Sequence, residues 1–413
     1  MMIAPDQIDA LRDAVGDGGL QEHAPVDLDG LTAALTLSPS DGEGLARTLA
    51  VLRNRGLAVA VRGSGSYAGV GNPPIGLDAF LSTGRLAGIE EFDAGEGVCH
   101  VRSGTPLRDV REALAGSSWE LPLDPPGRDS TVGGCIAAAS VGPRALGLPC
   151  DQVLGLTVSL TSGERVRCGG RVVKNVTGYD LNKLYTGSFG SLGVIESAWL
   201  RLRAVPERSA SCEIRRSDAA GACLAAIAAA RCVSRRAAAI ATNGADGWRV
   251  VVELAGDAPT VERDLAWLRD EYGASETAQE AVEQIRDLQL EVPAPLGLRF
   301  RLGVLPTRLA SALAELRSSG ASLLAYPGLQ LVYASFSLDP SPDETDVEAI
   351  FHNVESVARS AGGGYVCEAA PTSAKSGRDM FGDLGASGAI VRALKQRFDP
   401  TGVLNPGRFA GRN

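Results

Sequence analysis

Histidine is scarce in this chain of 413 residues, which contains only His23, His100 and His352. Zinc and non-haem iron centres usually recruit histidines in groups, and neither an H-E-x-x-H nor an H-x-H pattern occurs here. We therefore expect no metal centre. The same scarcity leaves no obvious base that could remove a proton from a substrate alcohol, so no catalytic residue is assigned.

Closely spaced cysteines are also missing. The chain has eight cysteines, and none of them forms a C-x-x-C pair. Ferredoxin-type clusters need ligands in tight groups, and Cys135, Cys150 and Cys168 are too far apart in sequence to supply them. Scattered cysteines in a cytosolic protein are usually buried thiols, and we expect that role here.

Long apolar runs and an excess of basic residues are absent as well. No run is long enough to span a bilayer, and the N-terminal segment lacks the basic and apolar regions of a signal peptide. The 40 basic residues are outnumbered by 49 acidic ones, which gives a net charge of −9. This balance argues against nucleic-acid binding, which requires a positive surface. We expect a cytoplasmic enzyme of two or three domains.

Glycine, in contrast, is abundant, with 50 in the chain. The stretch 169–195, GGRVVKNVTGYDLNKLYTGSFGSLGVI, ends on Gly187, Gly190 and Gly193 before an apolar pair. Glycine allows positive φ and the close approach of another backbone or a flat ligand. The pattern predicts a loop that feeds a strand beside a large ligand. A tight hairpin without a ligand is an equal alternative for this stretch alone.

A second glycine-rich stretch, 62–76, follows an apolar β-run at 57–61. Gly63, Gly65 and Ala68 formally satisfy the G-x-G-x-x-[G/A] fingerprint of a Rossmann unit. That fingerprint requires a helix next, and the glycines and prolines that follow break helices. We therefore reject the Rossmann interpretation. Exposed backbone N–H groups beside Arg62 can still hold a diphosphate, and a plain surface turn is the alternative.

The remaining patterns suggest alternating helices and strands. Helices are predicted at 5–15 and 42–55, with a polar loop after the first of them. Residues 129–134 would cap a helix of small residues at 135–140, and residues 153–168 would form a hairpin. A composition shift at Pro206 marks a domain boundary. Beyond it, alternating elements predict an α+β domain whose helices cover one face of a sheet, followed by a helix at 390–397.

Four segments taken together resemble a known family. They are RGSGSYAGVG at 62–71, the run from LDPPG to GPR at 123–144, the stretch 169–195, and LKQRFDPTGVLNPGRF at 394–409. In this order they resemble flavoproteins of the vanillyl-alcohol oxidase and p-cresol methylhydroxylase type. Within that superfamily the chain is most similar to the FAD-binding subunits of bacterial glycolate oxidases.

The resemblance implies an α+β fold with a two-subdomain FAD-binding domain of the p-cresol methylhydroxylase type and a C-terminal α+β cap domain. The implied boundaries are an N-terminal extension at 1–30, the FAD-binding domain at 31–205, a cap or substrate domain at 206–390, and a segment at 391–413 that returns to the flavin.

The resemblance also implies positions for FAD. Loop 62–67 would wrap the pyrophosphate, residues 131–140 would line the diphosphate and flavin channel, and residues 190–195 would border the adenine and the ribityl chain. Asn405 would reach the isoalloxazine region. The implied cofactor-binding residues are Arg62, Gly63, Ser64, Gly65, Ser66, Tyr67, Pro125, Thr131, Gly133, Gly134, Ser140, Gly190, Gly193, Ile195 and Asn405.

Two departures from the family pattern matter. Many relatives attach FAD through a histidine in the first glycine loop, where this chain has Ser64 to Tyr67, so we expect non-covalent FAD. Related 2-hydroxy acid dehydrogenases also carry a histidine-rich motif in the C-terminal half, which here contains only His352. Four cations there suit a substrate carboxylate, but surface or structural roles are favoured for them. They are Arg299, Arg301, Lys375 and Arg378.

A further polar group lies in the 169–195 stretch and matches the family's polar loop. Its members are Lys174, Asn175, Tyr179 and Asp180. Substrate contact and hydrogen bonding that fixes the loop are both open roles for them.

Two functional hypotheses follow. The first is an FAD-binding subunit of a glycolate (2-hydroxy acid) oxidase or dehydrogenase complex, which handles flavin electron transfer. Its partners would be a histidine-bearing FAD catalytic subunit and an iron–sulfur subunit, through which it could attach peripherally to the inner membrane. The second is a free-standing FAD-dependent oxidase or dehydrogenase of another small alcohol or hydroxy acid.

Overall fold

The computed structural model describes residues 3–127, 129–145, 147–172, 179–244, 247–292, 296–339 and 344–412. Lys174 and Asn175 of the polar loop therefore lie outside the described residues. Strands within the described ranges form sheets of four, five, two and eight strands. None of the described helices is long and apolar enough to cross a bilayer.

The first sheet has the strand order β1-β2-β4-β3. Its strands are β1 (Leu20–Leu28), β2 (Leu31–Leu37), β3 (Val59–Arg62) and β4 (Ala79–Ser82). Helices α1 (Pro5–Val15) and α2 (Gly42–Arg55) pack on it, and both agree with the sequence prediction. Asp41 caps α2 by accepting a hydrogen bond from the backbone N–H of Gly44 at 2.7 Å.

The predicted polar loop after α1 is wrong, because residues 20–28 form β1. This edge strand pairs with β2 in antiparallel register from Leu20↔Leu37 to Leu28↔Leu31. Most of its side chains remain exposed or half-buried, so it lacks the alternation of apolar residues that would reveal a strand.

The second sheet has the order β5-β6-β10-β8-β9, and a short pair joins β7 to β11. Its strands are β5 (Ile89–Asp93), β6 (Val98–Arg102), β7 (Trp119–Glu120), β8 (Val153–Ser159), β9 (Arg165–Gly169), β10 (Val194–Arg201) and β11 (Arg203–Ala204). The accompanying helices are α3 (Leu107–Leu114), α4 (Val132–Ala137) and α5 (Asn182–Tyr185). The predicted hairpin is confirmed, because Ser159 pairs with Arg165 across the turn.

Helix α4 begins earlier than the predicted 135–140 and ends earlier as well. Thr131 is the N-cap, and its hydroxyl accepts a hydrogen bond from the N–H of Gly134 at 3.2 Å. Ala139 has a φ of 48°, which stops the helix before Ser140. The alanines therefore mark the end of the helix, while Thr131 sets its start.

The third part is an antiparallel sheet of order β15-β12-β14-β13-β17-β18-β16-β19. Its strands are β12 (Arg208–Arg216), β13 (Arg235–Asn243), β14 (Gly247–Gly256), β15 (Ser275–Thr277), β16 (Leu296–Gly303), β17 (Ser322–Tyr326), β18 (Leu331–Leu338) and β19 (Tyr365–Ala369). Its helices are α6 (Ala219–Ala229), α7 (Ala258–Tyr272), α8 (Ala281–Asp287), α9 (Leu309–Ser318), α10 (Glu344–Ser360) and α11 (Thr372–Lys375).

The two faces of this sheet have different neighbours. One face packs beneath α6, α7, α9 and α10 in the largest apolar core of the molecule. The other face, which carries Ala239, Tyr326 and Tyr333, packs against α8 and against Val141. The second face thus turns toward the segment that follows α4.

The chain finally returns to the first two sheets through α12 (Ser387–Phe398). Phe398 packs edge-on against Tyr185 of α5, with 6.1 Å between the ring centroids. Beyond the helix, the N–H of Val59 in β3 donates to the carbonyl of Val403 at 2.8 Å. The segment after α12 therefore extends the free edge of β3.

Candidate functional site

A cavity of about 300 Å³ lies where the first two sheets meet the returning segment. Ligand cavities of roughly 300–1,000 Å³ are typical of cofactor sites. Thirteen of the fifteen cofactor-binding residues predicted from the sequence line it. They are Arg62, Gly63, Ser64, Gly65, Ser66, Tyr67, Thr131, Gly133, Gly134, Gly190, Gly193, Ile195 and Asn405.

The loop after β3 forms one wall of this main cavity. The backbone N–H groups of Gly63 to Tyr67 donate to no other atom in the described part of the chain. Gly65 has a φ of 87°, a conformation that suits glycine. Consecutive unpaired N–H groups attract anions, so this wall is suited to a phosphate or diphosphate.

The opposite wall is built on the start of α4. The N–H of Gly133 donates to the carbonyl of Ser103 at 2.7 Å, which presses the helix against β6. A side chain at Gly63 would overlap with the Thr131 hydroxyl. The hydroxyl of Ser103 is buried, lines the cavity and has no hydrogen-bond partner among the described residues. The two walls therefore pack closely at Gly63 and Thr131, and Ser103 adds a polar atom that has no partner among the described residues.

Asn405 joins three segments at the base of the cavity. Its Oδ1 accepts a hydrogen bond from the N–H of Val61 at 3.0 Å. Its Nδ2 donates to the carbonyl of Phe189 at 2.7 Å. Both Asn405 and Phe189 have positive φ, at 47° and 51°. Asn405 is only 4% exposed, so it acts mainly as a clamp between β3, loop 187–190 and the returning segment.

Arg62 supplies a positive charge near the mouth of the cavity. Its guanidinium lies 4.3 Å from the ring centroid of Phe80 and donates to the Thr36 hydroxyl at 3.1 Å. Burial lowers the pKa of Arg62. It forms no ion pair within the described ranges, so its charge remains available to an anionic ligand.

Two predicted residues lie elsewhere. Pro125 is buried but does not line the main cavity. Ser140 lies in a smaller neighbouring cavity, where its hydroxyl is hydrogen-bonded to that of Tyr67. Burial raises the pKa of Tyr67, so the phenol stays neutral at physiological pH.

Sequence reasoning missed several lining residues. Val26, Asp27 and Leu28 reach the cavity from β1, and Phe409 reaches it from the returning segment. Because β1 lacks apolar alternation, nothing in the sequence pointed to its contribution. Phe409 directly follows the NPGR sequence of the C-terminal motif, so the sequence did contain a signal for its contribution.

Strand alternation builds the smaller cavity on the sheet face that turns toward α4. In β16, Leu298, Phe300 and Leu302 enter the large core, which places Arg299 and Arg301 on the opposite face. Arg301 lies directly across from Tyr333 of β18. The smaller cavity is lined by the two arginines, by Tyr333 and by Glu368. Its other lining residues are Tyr67, Pro126, Ala138, Ala139, Ser140, Gln289 and Leu290.

Surface and structural roles were both expected for the four cations of the C-terminal half. The structure supports structural roles, because none of the four is fully exposed. Lys375 is 1% exposed and donates to both oxygens of Asp29 at 2.8 Å and to the carbonyl of Gly69 at 2.6 Å. Arg408 also approaches Asp29, at 3.4 Å. This buried cluster fixes the end of the loop that follows Tyr67. Arg378 pairs with Glu348 at 2.6 Å.

Sequence comparison identifies related proteins. A family model described as an FAD binding domain matches residues 33–169. Glycolate oxidase subunit GlcE from Escherichia coli (strain K12) is 30% identical over 356 residues, which cover 85% of this chain and 92% of that protein. Glycolate oxidase subunit GlcD from Bacillus subtilis (strain 168) is 32% identical over 41% of this chain and 37% of its own length.

Comparison of folds gives a consistent result. The crystal structure of p-cresol methylhydroxylase with substrate bound has a TM-score of 0.71 and 15% identity, over 98% of this chain and 96% of that one. The predicted fold class is therefore confirmed.

Proposed function

The chain belongs to the family of FAD-binding oxidoreductases that includes glycolate oxidase subunit GlcE, and from this premise we propose its more specific role. It is an FAD-carrying subunit of a complex that oxidises small 2-hydroxy acids. When bound, FAD supplies the two-electron redox chemistry, and the protein supplies binding, orientation and the electrostatic environment.

The observation that carries this proposal is the loop of unpaired N–H groups from Gly63 to Tyr67. An FAD diphosphate needs several hydrogen-bond donors, and this wall offers five without a competing partner in the described chain. Arg62 adds a formal positive charge, and Ser103 adds a hydroxyl that lacks a partner. The residues present therefore fit the cofactor, and burial of a diphosphate there satisfies groups that are costly to leave unpaired.

We propose that FAD is held without a covalent bond. The described lining of the main cavity contains neither histidine nor cysteine, and Ser64 to Tyr67 occupy the first glycine loop. Acid precipitation of the purified, yellow protein tests this directly. The flavin should appear in the supernatant, whereas a yellow protein pellet would contradict the proposal.

The domain division belongs to the same proposal. Residues 31–205 and 391–413 would form the FAD-binding unit, 206–390 the cap, and 1–30 an extension. The small cavity between Tyr67 and β16 lies between the first unit and the cap, where a substrate would meet the flavin. This placement supports a cap that covers the substrate.

The proposed partners are a histidine-bearing FAD subunit and an iron–sulfur subunit. The scarcity of histidine leaves this chain without the usual base, which favours an electron-handling role within an assembly. Membrane attachment, where it occurs, would be peripheral and through these partners.

Purification of a tagged chain, alone and from its native host, tests the assignment. We expect the isolated chain to contain FAD and to oxidise glycolate slowly, and the native preparation to contain the two partners and to oxidise glycolate rapidly with a dye acceptor. Full activity of the isolated chain would contradict the subunit role. A colourless preparation that cannot be reconstituted with FAD would contradict the cofactor assignment.

A further inference from the structure

A chain of hydrogen bonds on one face of the first sheet ends at Arg62. The Nη2 of Arg62 donates to the Thr36 hydroxyl at 3.1 Å. That hydroxyl lies 2.9 Å from Nε2 of His23, and Nδ1 of His23 lies 2.7 Å from the carbonyl oxygen of Ala24. The three side chains belong to β3, β2 and β1, so the hydrogen bonds cross the sheet from the main cavity to the edge strand.

The direction of each hydrogen bond follows from the donors and acceptors present. A guanidinium can only donate, so the Thr36 oxygen accepts from Arg62. The hydroxyl has a single proton, which it donates to Nε2 of His23. The Ala24 carbonyl can only accept, so Nδ1 of His23 carries the imidazole proton. These partners therefore assign one neutral tautomer to His23.

The same arrangement limits where the Arg62 side chain can lie. Its guanidinium lies 4.3 Å from the ring centroid of Phe80, which belongs to β4, the strand between β2 and β3. Thr36 is 5% exposed, so packing holds its oxygen in place. A long side chain loses rotamer entropy when a ligand fixes it, and a side chain that is fixed beforehand avoids that loss on binding.

Only one member of the hydrogen-bond chain can meet the cofactor directly. Arg62 lines the main cavity, and Thr36 and His23 do not. Arg62 has no ion-pair partner within the described ranges, and it directly precedes the loop of unpaired N–H groups at 63–67. The two residues behind it can therefore influence the ligand only through the position of the guanidinium.

We propose that His23 and Thr36 are positioning residues that hold the Arg62 cation toward a phosphate of FAD. Thr36 supplies the oxygen to which the guanidinium is hydrogen-bonded, and His23 orients that hydroxyl by accepting its only proton. This inference rests on the proposed function, because it adds two residues that do not touch the ligand to the FAD site. It also gives a role to β1, which lies outside the matched family segment 33–169.

Titration of the full chain with FAD, after removal of its flavin, tests the assignment. Thr36→Val removes the hydroxyl but keeps the shape of the side chain, and it should weaken FAD binding by about 3- to 10-fold. Thr36→Ser restores the hydroxyl and should keep the affinity within about twofold of the wild type. His23→Leu should weaken binding by about 2- to 5-fold, because the hydroxyl remains but loses the acceptor that orients it.

Arg62→Met separates positioning from a purely structural role. This change alone should weaken FAD binding by about 10- to 100-fold, because a charge-assisted hydrogen bond is lost. In the Arg62→Met background, Thr36→Val should cause no further loss, since the hydroxyl acts only through Arg62. Losses that add in the double variant would show that Thr36 supports the sheet instead, and they would overturn the proposal.

His100 and Ser197 provide a matched control pair. The Nε2 of His100 lies 2.9 Å from the Ser197 hydroxyl on the second sheet, and neither residue lines the main cavity. We expect His100→Leu and Ser197→Ala to leave the affinity for FAD unchanged. Losses as large as that of Thr36→Val would assign the effect to a general loss of stability and overturn the proposal.

Other outcomes separate this inference from the function on which it rests. A wild-type chain that binds FAD with an affinity unchanged by Thr36→Val and His23→Leu overturns the positioning role and leaves the FAD assignment intact. A wild-type chain that cannot be loaded with FAD overturns the proposed function instead. Should Thr36→Val fail to fold, His23→Leu decides, because equal losses with Arg62 and with Arg62→Met would exclude an action through Arg62.

Discussion

At the scale of single residues, the cofactor cavity depends on backbone conformations that few side chains tolerate. Gly65 and Asn405 have positive φ on opposite sides of it. A Cβ at Gly65 would meet no protein atom within 4 Å, so the protein itself leaves this space empty. Two factors therefore restrict which side chains position 65 can accept: the strain of a positive φ and the space that the proposed ligand needs.

Gly65→Ala should reduce the retention of FAD. The positive φ should cost roughly 1–2 kcal/mol of stability, and the added methyl group would occupy the proposed diphosphate path. Gly56→Ala is the matched control, because Gly56 has a φ of 65° and equally open surroundings but caps α2 away from the cavity. Flavin absorbance per chain after gel filtration should fall only in Gly65→Ala, and equal flavin content in both variants would remove the loop from the site.

Asn405→Ala should loosen the base of the cavity. The change removes hydrogen bonds to the N–H of Val61 and the carbonyl of Phe189, which should lower the free energy of unfolding by about 1–3 kcal/mol. Urea denaturation and flavin content would measure both effects. Asn353→Ala on α10 should change neither by a comparable amount, because among the described residues the Asn353 amide is hydrogen-bonded only to the Ser319 hydroxyl.

At the scale of elements, the buried cluster of Asp29, Lys375 and Arg408 connects three distant parts of the chain. Asp29 lies in the turn between β1 and β2, Lys375 ends α11, and Arg408 belongs to the returning segment. Lys375 and Arg408 also donate to carbonyls of residues 68–70, just after the phosphate-binding loop. The loop is therefore held at its C-terminal end by two cations, of which Arg408 also lines the main cavity.

Lys375→Met should be strongly destabilising. It would leave the Asp29 carboxylate buried with only Arg408 as a counter-ion, and removal of one partner from a buried pair costs roughly 3–5 kcal/mol. Denaturant titration should show this loss, and Asp29→Asn in the same chain should recover part of it. Arg359→Met, which breaks the exposed pair with Glu355, should cost at most about 1 kcal/mol. Similar losses in the two single variants would mean that the buried cluster does not stabilise the loop.

The type of element also determined how much of the fold and of the site could be predicted from the sequence. Glycine, proline and capping residues act locally, which is why α2 and the hairpin of β8 and β9 were predictable. The predicted residues of the main cavity came instead from the resemblance to a flavoprotein family, and they make up 13 of its lining residues. The exposed edge strand β1 depends on its partner β2 and carries no local pattern. Arg299 and Gln289 line the same cavity although they belong to different elements, and such long-range placement cannot be deduced from spacing along one chain. The alternation in LRFRLG places Arg299 and Arg301 on the same face of β16. It does not reveal which residues pack against that face.

At the scale of the whole molecule, the expected buried thiols are present. All eight cysteines are free, and only Cys150 is not fully buried. Burial raises the pKa of four of them to about 12: Cys99, Cys135, Cys212 and Cys367. They lie in β6, in α4 and in the eight-stranded sheet, so their protonation affects both parts of the molecule.

Stability should therefore fall at alkaline pH. These thiols stay protonated in the folded chain, whereas in the unfolded chain they ionise near their ordinary pKa of about 8.5. Their contribution is fully present below that value and is lost as the pH rises from about 9 toward 12, by roughly 1.4 kcal/mol per thiol and pH unit.

Denaturant titrations between pH 8 and 10 under reducing conditions would measure this slope. Cys212→Ala should make it shallower, whatever its effect on stability at pH 8. A slope that does not change would show that the thiol ionises equally in both states.

The hydrogen bond between Val61 and Asn405 joins residues that are 344 positions apart. At typical translation rates of about 5–20 residues per second, the ribosome takes roughly 20–70 s to add the intervening residues. During that interval the nascent chain already has the glycine loop but still lacks the base of the cavity. FAD can consequently bind only near the end of synthesis of each chain. Truncated chains from ribosomes that stall before codon 405 should not retain FAD.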